Sequence, residues 1–331
     1  MIESIQFRNF KALRDTVLPL GRLTLIVGAN GSGKSTAIQA LEAVKDPGTV
    51  DLKRTVTVGS ATTDHVEVVL NWGAPKKGII TRSRWTPGGY LGIEHRGAGS
   101  GDLQGILTAK LARIRTYSLD AKAISSPVGL IPDVELRADG LYLPAVLDRL
   151  RDRDPERFEA LNGELGRWLP EFDRILFQTP QTGHRAFSLR TRAGHYQIPA
   201  SDVSQGTLLA LAILTLAYIP DPPSIVCLEE PDRGIHPRLL RDIQDALYRL
   251  SHPEAVGERR ESVQVITTTH SPYMLDLYKE HPEEIVLAHK VGSEARFERL
   301  SDREDLQEIL KDAHLGDVWY SGVLGGVPSE Q

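Results

Sequence analysis

The chain has 331 residues, of which 40% are hydrophobic and 25% charged, enough to bury one large core or two ordinary ones. Its net charge of −5 excludes a generally basic nucleic-acid binder, though not a local basic strip. One cysteine, Cys227, excludes a disulfide framework or a Cys-rich zinc site and reads as a small core residue. The longest near-continuous apolar stretch, residues 208–219, falls short of the roughly twenty residues that span a bilayer. Glu3 and the polar residues around it do not make a signal peptide. No membrane partner and a cytoplasmic location are therefore expected.

In chain order, Ile2, Ile5 and Phe7 open a strand-rich lobe, residues 16–18 continue it, and Leu23–Val27 is an apolar strand. That strand runs into Gly28-Ala29-Asn30-Gly31-Ser32-Gly33-Lys34-Ser35, followed by Thr36: a complete G-x-x-x-x-G-K-[ST] phosphate loop. Each part has a mechanical task. The glycines let successive backbone N–H groups turn inward onto an anion, and the helix that starts here (Ala37, Ile38, Leu41, Val44) presents its positive end to the same charge. Lys34 reaches the β- and γ-phosphates, and the Ser35 hydroxyl ligates Mg²⁺. ATP and Mg²⁺ are the ligands this implies.

Residues 56–58 and 65–70 alternate as half-buried strands do. Residues 73–101, rich in Gly, Pro, Lys and Arg, read as a loop-rich insertion; 106–115 and 144–169 have helical spacing, the latter broken near Pro155. Strands follow at 174–178, 186–190 and 196–198. From there helix and strand alternate: helix 207–218, strand 224–228, helix 238–250, strand 263–267, a short helix, then strand 284–288. The alternation predicts a parallel or mixed sheet with helices on both faces.

Three further patterns carry chemistry. The apolar run 224–228 delivers Glu229 and Glu230 to a strand end, as a Walker B strand does; the first carboxylate suits the Mg²⁺ shell, the second an attacking water. Glu229 stands where Asp is usual, one methylene longer. His270 follows a second buried strand, where an imidazole could reach a γ-phosphate. Ser201-Asp-Val-Ser204-Gln-Gly206-Thr207 precedes an apolar helix and serves either as an anion site or as a plain N-cap.

In this order the motifs resemble the ABC-type ATPase heads, and more closely the RecF/SMC and OLD-type branch of bacterial AAA family ATPases. The opening Ile5-Gln-Phe-Arg-Asn9-Phe10-Lys11 and the segment Glu230-Pro231-Asp232-Arg-Gly234-Ile-His236-Pro237 are similar to that branch's entry strand and its E-P-E-x-G-L-H-P segment. The resemblance implies an α/β P-loop NTPase fold, a single head over 1–331. An N-terminal ATP-binding lobe (1–75), an inserted loop-rich and helical lobe (76–200) and a C-terminal lobe (201–331) would make it up. It implies a homodimer on ATP, in which Ser204 and Gly206 of one subunit meet the γ-phosphate held by Lys34 of the other. It also implies Glu230 as general base, His270 as switch, Asp232 in the D-loop, and Lys11 and Asn30 as further nucleotide contacts. Gln104 is the placed candidate for the Q-loop glutamine at the metal. His236 reads as structural or interfacial, and Lys110, Arg113 and Arg115 as a DNA-contacting strip or a solvated face. The resemblance implies ATP hydrolysis in DNA repair, DNA metabolism or anti-phage defence. The alternatives are a regulatory ATPase controlling a separate nuclease or toxin and, less consistent with the signature, a transporter subunit.

Overall fold

The structure, a computed structural model, describes residues 1–60, 65–97, 101–306, 309 and 314–324. The chain divides into two compact units. Met1–Thr116, Pro223–Leu228 and Arg260–Gln331 form the first; Tyr117–Pro222 and Glu229–Arg259 form the second.

The first unit holds two sheets. The five-stranded antiparallel sheet has the order β2-β1-β4-β5-β6, from β1 (Ile2–Phe10), β2 (Leu13–Pro19), β4 (Val66–Trp72), β5 (Ile80–Thr86) and β6 (Gly89–Arg96). The six-stranded sheet has the order β15-β14-β3-β13-β12-β7. Its strands are β3 (Leu23–Val27), β7 (Ile114–Tyr117), β12 (Ile225–Glu229), β13 (Gln264–Thr269), β14 (Ile285–Val291) and β15 (Glu294–Arg299). β3 lies between β13 and β14 and is parallel to both, so all five of its residues are buried. Helix α1 (Lys34–Lys45) puts Ala37, Ile38, Leu41 and Val44 into one core with Ile5 and Phe7 of β1, Val68 of β4 and Ile26, Cys227, Ile266 and Val286 of the second sheet. Cys227 is thus the core residue it was expected to be.

The mixed α/β architecture holds, with four local departures from the expected elements. Residues 73–101 contain the paired strands β5 and β6 rather than a loop-rich insertion; 98–100 lie outside the described residues. The alternation there is hidden because the inward positions of β5 are Thr81, Ser83 and Trp85, two of them polar, between outward arginines. The helix around 106–115 is α3 (Gly101–Ala112), and Ile114–Tyr117 is instead the edge strand β7, anchored where Ser224 N donates to the Arg113 carbonyl at 3.2 Å. Val56 makes a single bridge to Phe10 after the short helix α2 (Leu52–Thr55), so 56–58 is not a strand. β4 is buried on both faces rather than one.

The second face of β4 is covered by charge. The Glu67 side chain is 1% exposed and takes Arg8 at 3.1 Å, Arg82 at 3.0 Å and Arg84 at 2.8 Å. All three come from neighbouring strands, Arg8 and Arg84 in register across Glu67 and Arg82 two residues along, opposite Val69. Burial pushes the Glu67 carboxyl up, but the Arg84 hydrogen bond and the charges of Arg82, Arg84 and Arg8 prevail and hold it below its ordinary value.

The second unit is built around α7 (Gln205–Tyr218), whose residues from Thr207 to Tyr218 are all buried. It packs against α4 (Ala121–Ser125), α6 (Pro155–Trp168) and α8 (Leu240–Ser251). α5 (Leu143–Arg153) and α6 are split where Asp154 caps the second helix through the Arg157 N–H and Pro155 takes its first turn. A small antiparallel sheet of β8 (Val128–Gly129), β9 (Phe172–Gln178), β10 (His184–Thr191) and β11 (Gln197–Pro199) completes the unit.

A glutamate whose folded pKa lies below its unfolded value of 4.5 stabilises the fold above that pH, and the contribution is lost as pH falls through the folded pKa. Glu67→Gln is expected to lower the unfolding free energy by about 1–3 kcal/mol at neutral pH. In urea melts the gap from wild type should close below about pH 4.5. An unchanged midpoint at pH 7 would show the arginine cluster to be ornamental.

Candidate functional site

The phosphate loop leaves β3 at a point fixed from both sides. Val27 pairs with Thr269 of β13 and with Leu287 of β14. At Gly28 there is no space for a side chain: a methyl would collide with the Ala288 carbonyl oxygen and lie 2.7 Å from Ser32 Oγ. Gly31 (φ 75°) and Gly33 (φ 101°) take left-handed conformations that glycine adopts without strain. Gly33 is also the N-cap of α1 and supplies no side-chain acceptor, and a helix begun in this way turns its positive end toward the loop. Lys34 is buried, its Nζ donating to the carbonyls of Gly28 (2.7 Å) and Ala29 (3.0 Å). Ser32 Oγ is buried and has no hydrogen-bond partner among the described residues. Asn30, Gly31 and Ser35 are exposed and Thr36 half-buried. An uncapped helix end, a glycine cradle and an unsatisfied buried hydroxyl fit an anion of phosphate chemistry.

Lys11 follows β1 in a left-handed turn (φ 51°), and its Nζ reaches Gln39 Oε1 of α1 at 2.6 Å. That holds the lysine against the helix that leaves the loop. Gln104 is exposed on α3.

His270 leaves β13 at the edge where Gly28 leaves β3, because Thr269 and Val27 are partners. It is exposed, and Ser271 behind it caps α9 (Pro272–Leu277) through the Met274 N–H. β12 runs in the same direction as β13: Gln264 N donates to the Ser224 carbonyl at one end, and Thr267 Oγ1 to the Leu228 carbonyl near the other. β12 therefore ends with Glu229 at the same edge of the sheet as His270 and Gly28. Glu230, the next residue, is held at φ 47°, a strained conformation for a residue with a side chain and one that clusters at functional sites. The turn it begins is closed by Arg233 N to the Glu230 carbonyl (3.0 Å) and Ile235 N to the Asp232 carbonyl (3.2 Å).

Within the second unit, Ser204 is the N-cap of α7. Its Oγ accepts from the Thr207 N–H at 3.2 Å and donates to Thr207 Oγ1 at 2.8 Å, while the residue stays exposed. Gly206 lies against the turn after Glu230: a methyl on it would stand 2.6 Å from the Gly234 carbonyl oxygen. Gly234, at φ 75°, faces the Gln205 side chain in return. The signature and the Glu230–Pro237 turn are thus one packed block. His236 is a cap, its Nδ1 accepting from the Arg238 N–H, which is the structural role. Lys110 pairs with Glu261 at 3.2 Å, and Arg115 donates to the Ala112 and Ile114 carbonyls.

Composition patterns did not mark the hairpin β14–β15 as part of the site. Its Ala288 carbonyl walls off Gly28, and its Ala295 methyl stands 2.6 Å from a Cβ on Gly33. A contact made through a carbonyl and a methyl leaves no residue-type signature in a single sequence. Among the described residues, no group of three or more His, Cys, Asp or Glu could hold a metal, and no helix is long and apolar enough to cross a membrane.

Comparison with known proteins places this geometry. The family model "AAA domain, putative AbiEii toxin, Type IV TA system" matches residues 98–276, and the model "AAA ATPase domain" matches residues 1–70. An OLD nuclease of Thermus scotoductus is 50% identical over 44 residues, 13% of this chain and 8% of that protein's length. Similar solved structures include an Smc head bound to the C-terminal winged-helix domain of ScpA, with 18% identity, TM-score 0.65 and 93% and 99% of the two chains covered. The SMC head domain from Thermotoga maritima has 17% identity and TM-score 0.53, covering 90% and 98%. An Smc head bound to the C-terminal domain of ScpA, derived from Pyrococcus furiosus, has 15% identity and TM-score 0.59, covering 93% and 98%. These likenesses fix the fold as a P-loop, ABC-type ATPase head.

Packing at Gly206 gives a paired test. Gly206→Ala should lower stability by about 1–3 kcal/mol, since the methyl meets a backbone carbonyl rather than a movable side chain. Gly163→Ala, on an exposed position of α6 with nothing within 4 Å, should raise it by about 0.5–1 kcal/mol. Thermal melts of the two variants read both; a neutral Gly206→Ala would mean that the signature and the following turn are not held together.

Proposed function

The chain belongs to the AAA family described as "AAA domain, putative AbiEii toxin, Type IV TA system", in its RecF/SMC/OLD-like branch, and on that premise we propose that it binds and hydrolyses ATP as a dimer of heads. The observation that carries the reading is the shared sheet edge, where the phosphate loop, the end of β12 at Glu229 and His270 emerge together.

In this reading the N–H groups of residues 31–36 and the Lys34 ammonium hold the nucleotide phosphates, with Asn30 and Lys11 as further contacts. Mg²⁺ would supply charge neutralisation between the phosphates, held by the Ser35 hydroxyl and the Glu229 carboxylate, with Gln104 as the third candidate. Glu230, held at φ 47°, accepts a proton from the attacking water. His270 senses the terminal phosphate. Ser204 and Gly206 engage the phosphate of a second copy, with Asp232 beside them on the same packed block. Such a dimer would form on ATP and open after hydrolysis, in DNA repair, DNA metabolism or defence against phage.

A second reading is favoured by charge. With a net charge of −5 and with Lys110 already paired to Glu261, an ATPase that controls a separate nuclease or toxin suits the surface better than a DNA-binding one. Duplex binding by a hydrolysis-blocked protein, at low and physiological salt, separates the two: binding that falls steeply with salt supports DNA, and none at either salt supports the protein partner.

Glu230→Gln should leave ATP affinity within about threefold and reduce turnover by roughly 10²–10⁴. With ATP it should elute as a dimer. Equal loss of binding and turnover would remove Glu230 from the role of base. The signature's action in trans is read by mixing Lys34→Ala and Ser204→Arg subunits, which should recover part of the turnover that each lacks alone; heterodimers without activity would mean either strictly coupled sites or a Ser204 that is only a helix cap, and full activity in Ser204→Ala would decide for the cap.

A further inference from the structure

β14 continues four residues beyond its last pairing with β3, from Leu287 to Val291, and turns through Gly292 (φ 63°) into β15. The extended hairpin runs along the phosphate loop. Cross-strand partners project to the same face of a sheet, and Ala288 pairs with Phe297 while Lys290 pairs with Ala295. That face meets the loop at three glycines: the Ala288 carbonyl abuts Gly28, and Ala295 with Phe297 abuts Gly33. The Lys290 Nζ stands 3.8 Å from the place of a Cβ on Gly31. Of the four side chains on this face beyond the last pairing with β3 (Ala288, Lys290, Ala295 and Phe297), Lys290 alone is charged.

We propose that Lys290 is a second phosphate-binding cation of the loop, delivered by the hairpin rather than by the loop's own helix. The proposal rests on the nucleotide reading above. Three observations carry it. The Lys290 ammonium has no hydrogen-bond or ion-pair partner among the described residues, whereas Lys34 is engaged with the Gly28 and Ala29 carbonyls. The two acidic side chains of the same hairpin are already taken, Glu294 by Arg14 at 3.3 Å and Arg296 at 3.0 Å and Glu298 by Arg303 at 3.8 Å, so neither neutralises Lys290. The loop that the ammonium overhangs contains the buried, unpartnered Ser32 hydroxyl, and its helix has no side-chain cap. A cation standing over an anion cradle without a counter-ion of its own is placed to meet the ligand's charge. Because it arrives on a long, exposed side chain, it reaches the phosphates from the solvent side.

The test is calorimetric titration of the full chain with ATP and Mg²⁺, for wild type, Lys290→Ala, Lys290→Arg and Lys34→Ala. Lys290→Ala should bind ATP about tenfold more weakly and with a shallower salt dependence, as loss of one charge-assisted contact implies. Lys290→Arg should retain most of the affinity. The ligand-free melting temperature of Lys290→Ala should equal that of wild type, because the ammonium has no partner to lose. Wild-type affinity in Lys290→Ala, alongside weakened binding in Lys34→Ala, would overturn the inference and leave the nucleotide reading standing. So would a Lys290→Arg protein as weak as Lys290→Ala, since charge would then not be the cause. If wild type itself does not bind ATP, the nucleotide reading falls and Lys290 with it.

Discussion

Val27 is paired on both sides, with Thr269 and with Leu287, and the position of the candidate site follows from that one register. A strand held by two parallel neighbours cannot slip by a residue without turning its whole buried set around. The point at which Gly28 leaves the sheet is therefore fixed relative to His270 on one side and Ala288 on the other. The close contact of the Ala288 carbonyl with Gly28 then dictates glycine there, quite apart from any ligand. The loop's shape, the exit of His270 and the wall made by the hairpin are consequences of strand pairing, not of side-chain recognition.

How much of this was legible in the sequence depends on whether a contact uses a distinctive residue. The phosphate loop was legible because Gly28, Gly31 and Gly33 are each the residue type their geometry demands. The six-stranded sheet was legible because two of its inner strands, Leu23–Val27 and Ile225–Glu229, are mostly apolar and short. β5 and β6 were not, because Thr81 and Ser83 occupy inward positions of β5 beside arginines, and β6 carries two glycines and buries none of its residues. β4 looked half-buried because Glu67 reads as a solvent-facing residue, and only the three arginines on adjacent strands make its burial tolerable. The hairpin's part in the site was invisible for a different reason. It works through a main-chain carbonyl, a methyl group and a lysine that no spacing rule connects to a loop some 260 residues earlier.

Ser204 has a structural role that leaves its surface accessible. As the cap of α7 it satisfies the Thr207 N–H, yet it stays exposed at the start of an otherwise buried helix. Gly206 then presses this corner onto the turn that begins at the strained Glu230. A shift of either element by an ångström is felt by the other, because the contact between them is backbone on backbone. The signature and the carboxylate turn can move together; they cannot move separately.

The first unit is assembled from three separated stretches of chain, with six residues of it lying between two segments of the second unit. During synthesis, β1 to β6 leave the ribosome long before β13 and β14, the strands that bury β3 on either edge. The amide of Ile2 waits for the side chain of Gln264, its partner at 2.9 Å, for 262 residues. Until then β3 presents two unpaired edges and four apolar side chains to its surroundings, the form of segment most prone to join a neighbouring chain. The Tyr117–Pro222 stretch has no such debt to β3 and is free to collapse first around α7. The order in which the two units become native is thus written into the threading of the chain, and the nucleotide cradle is among the last features to exist.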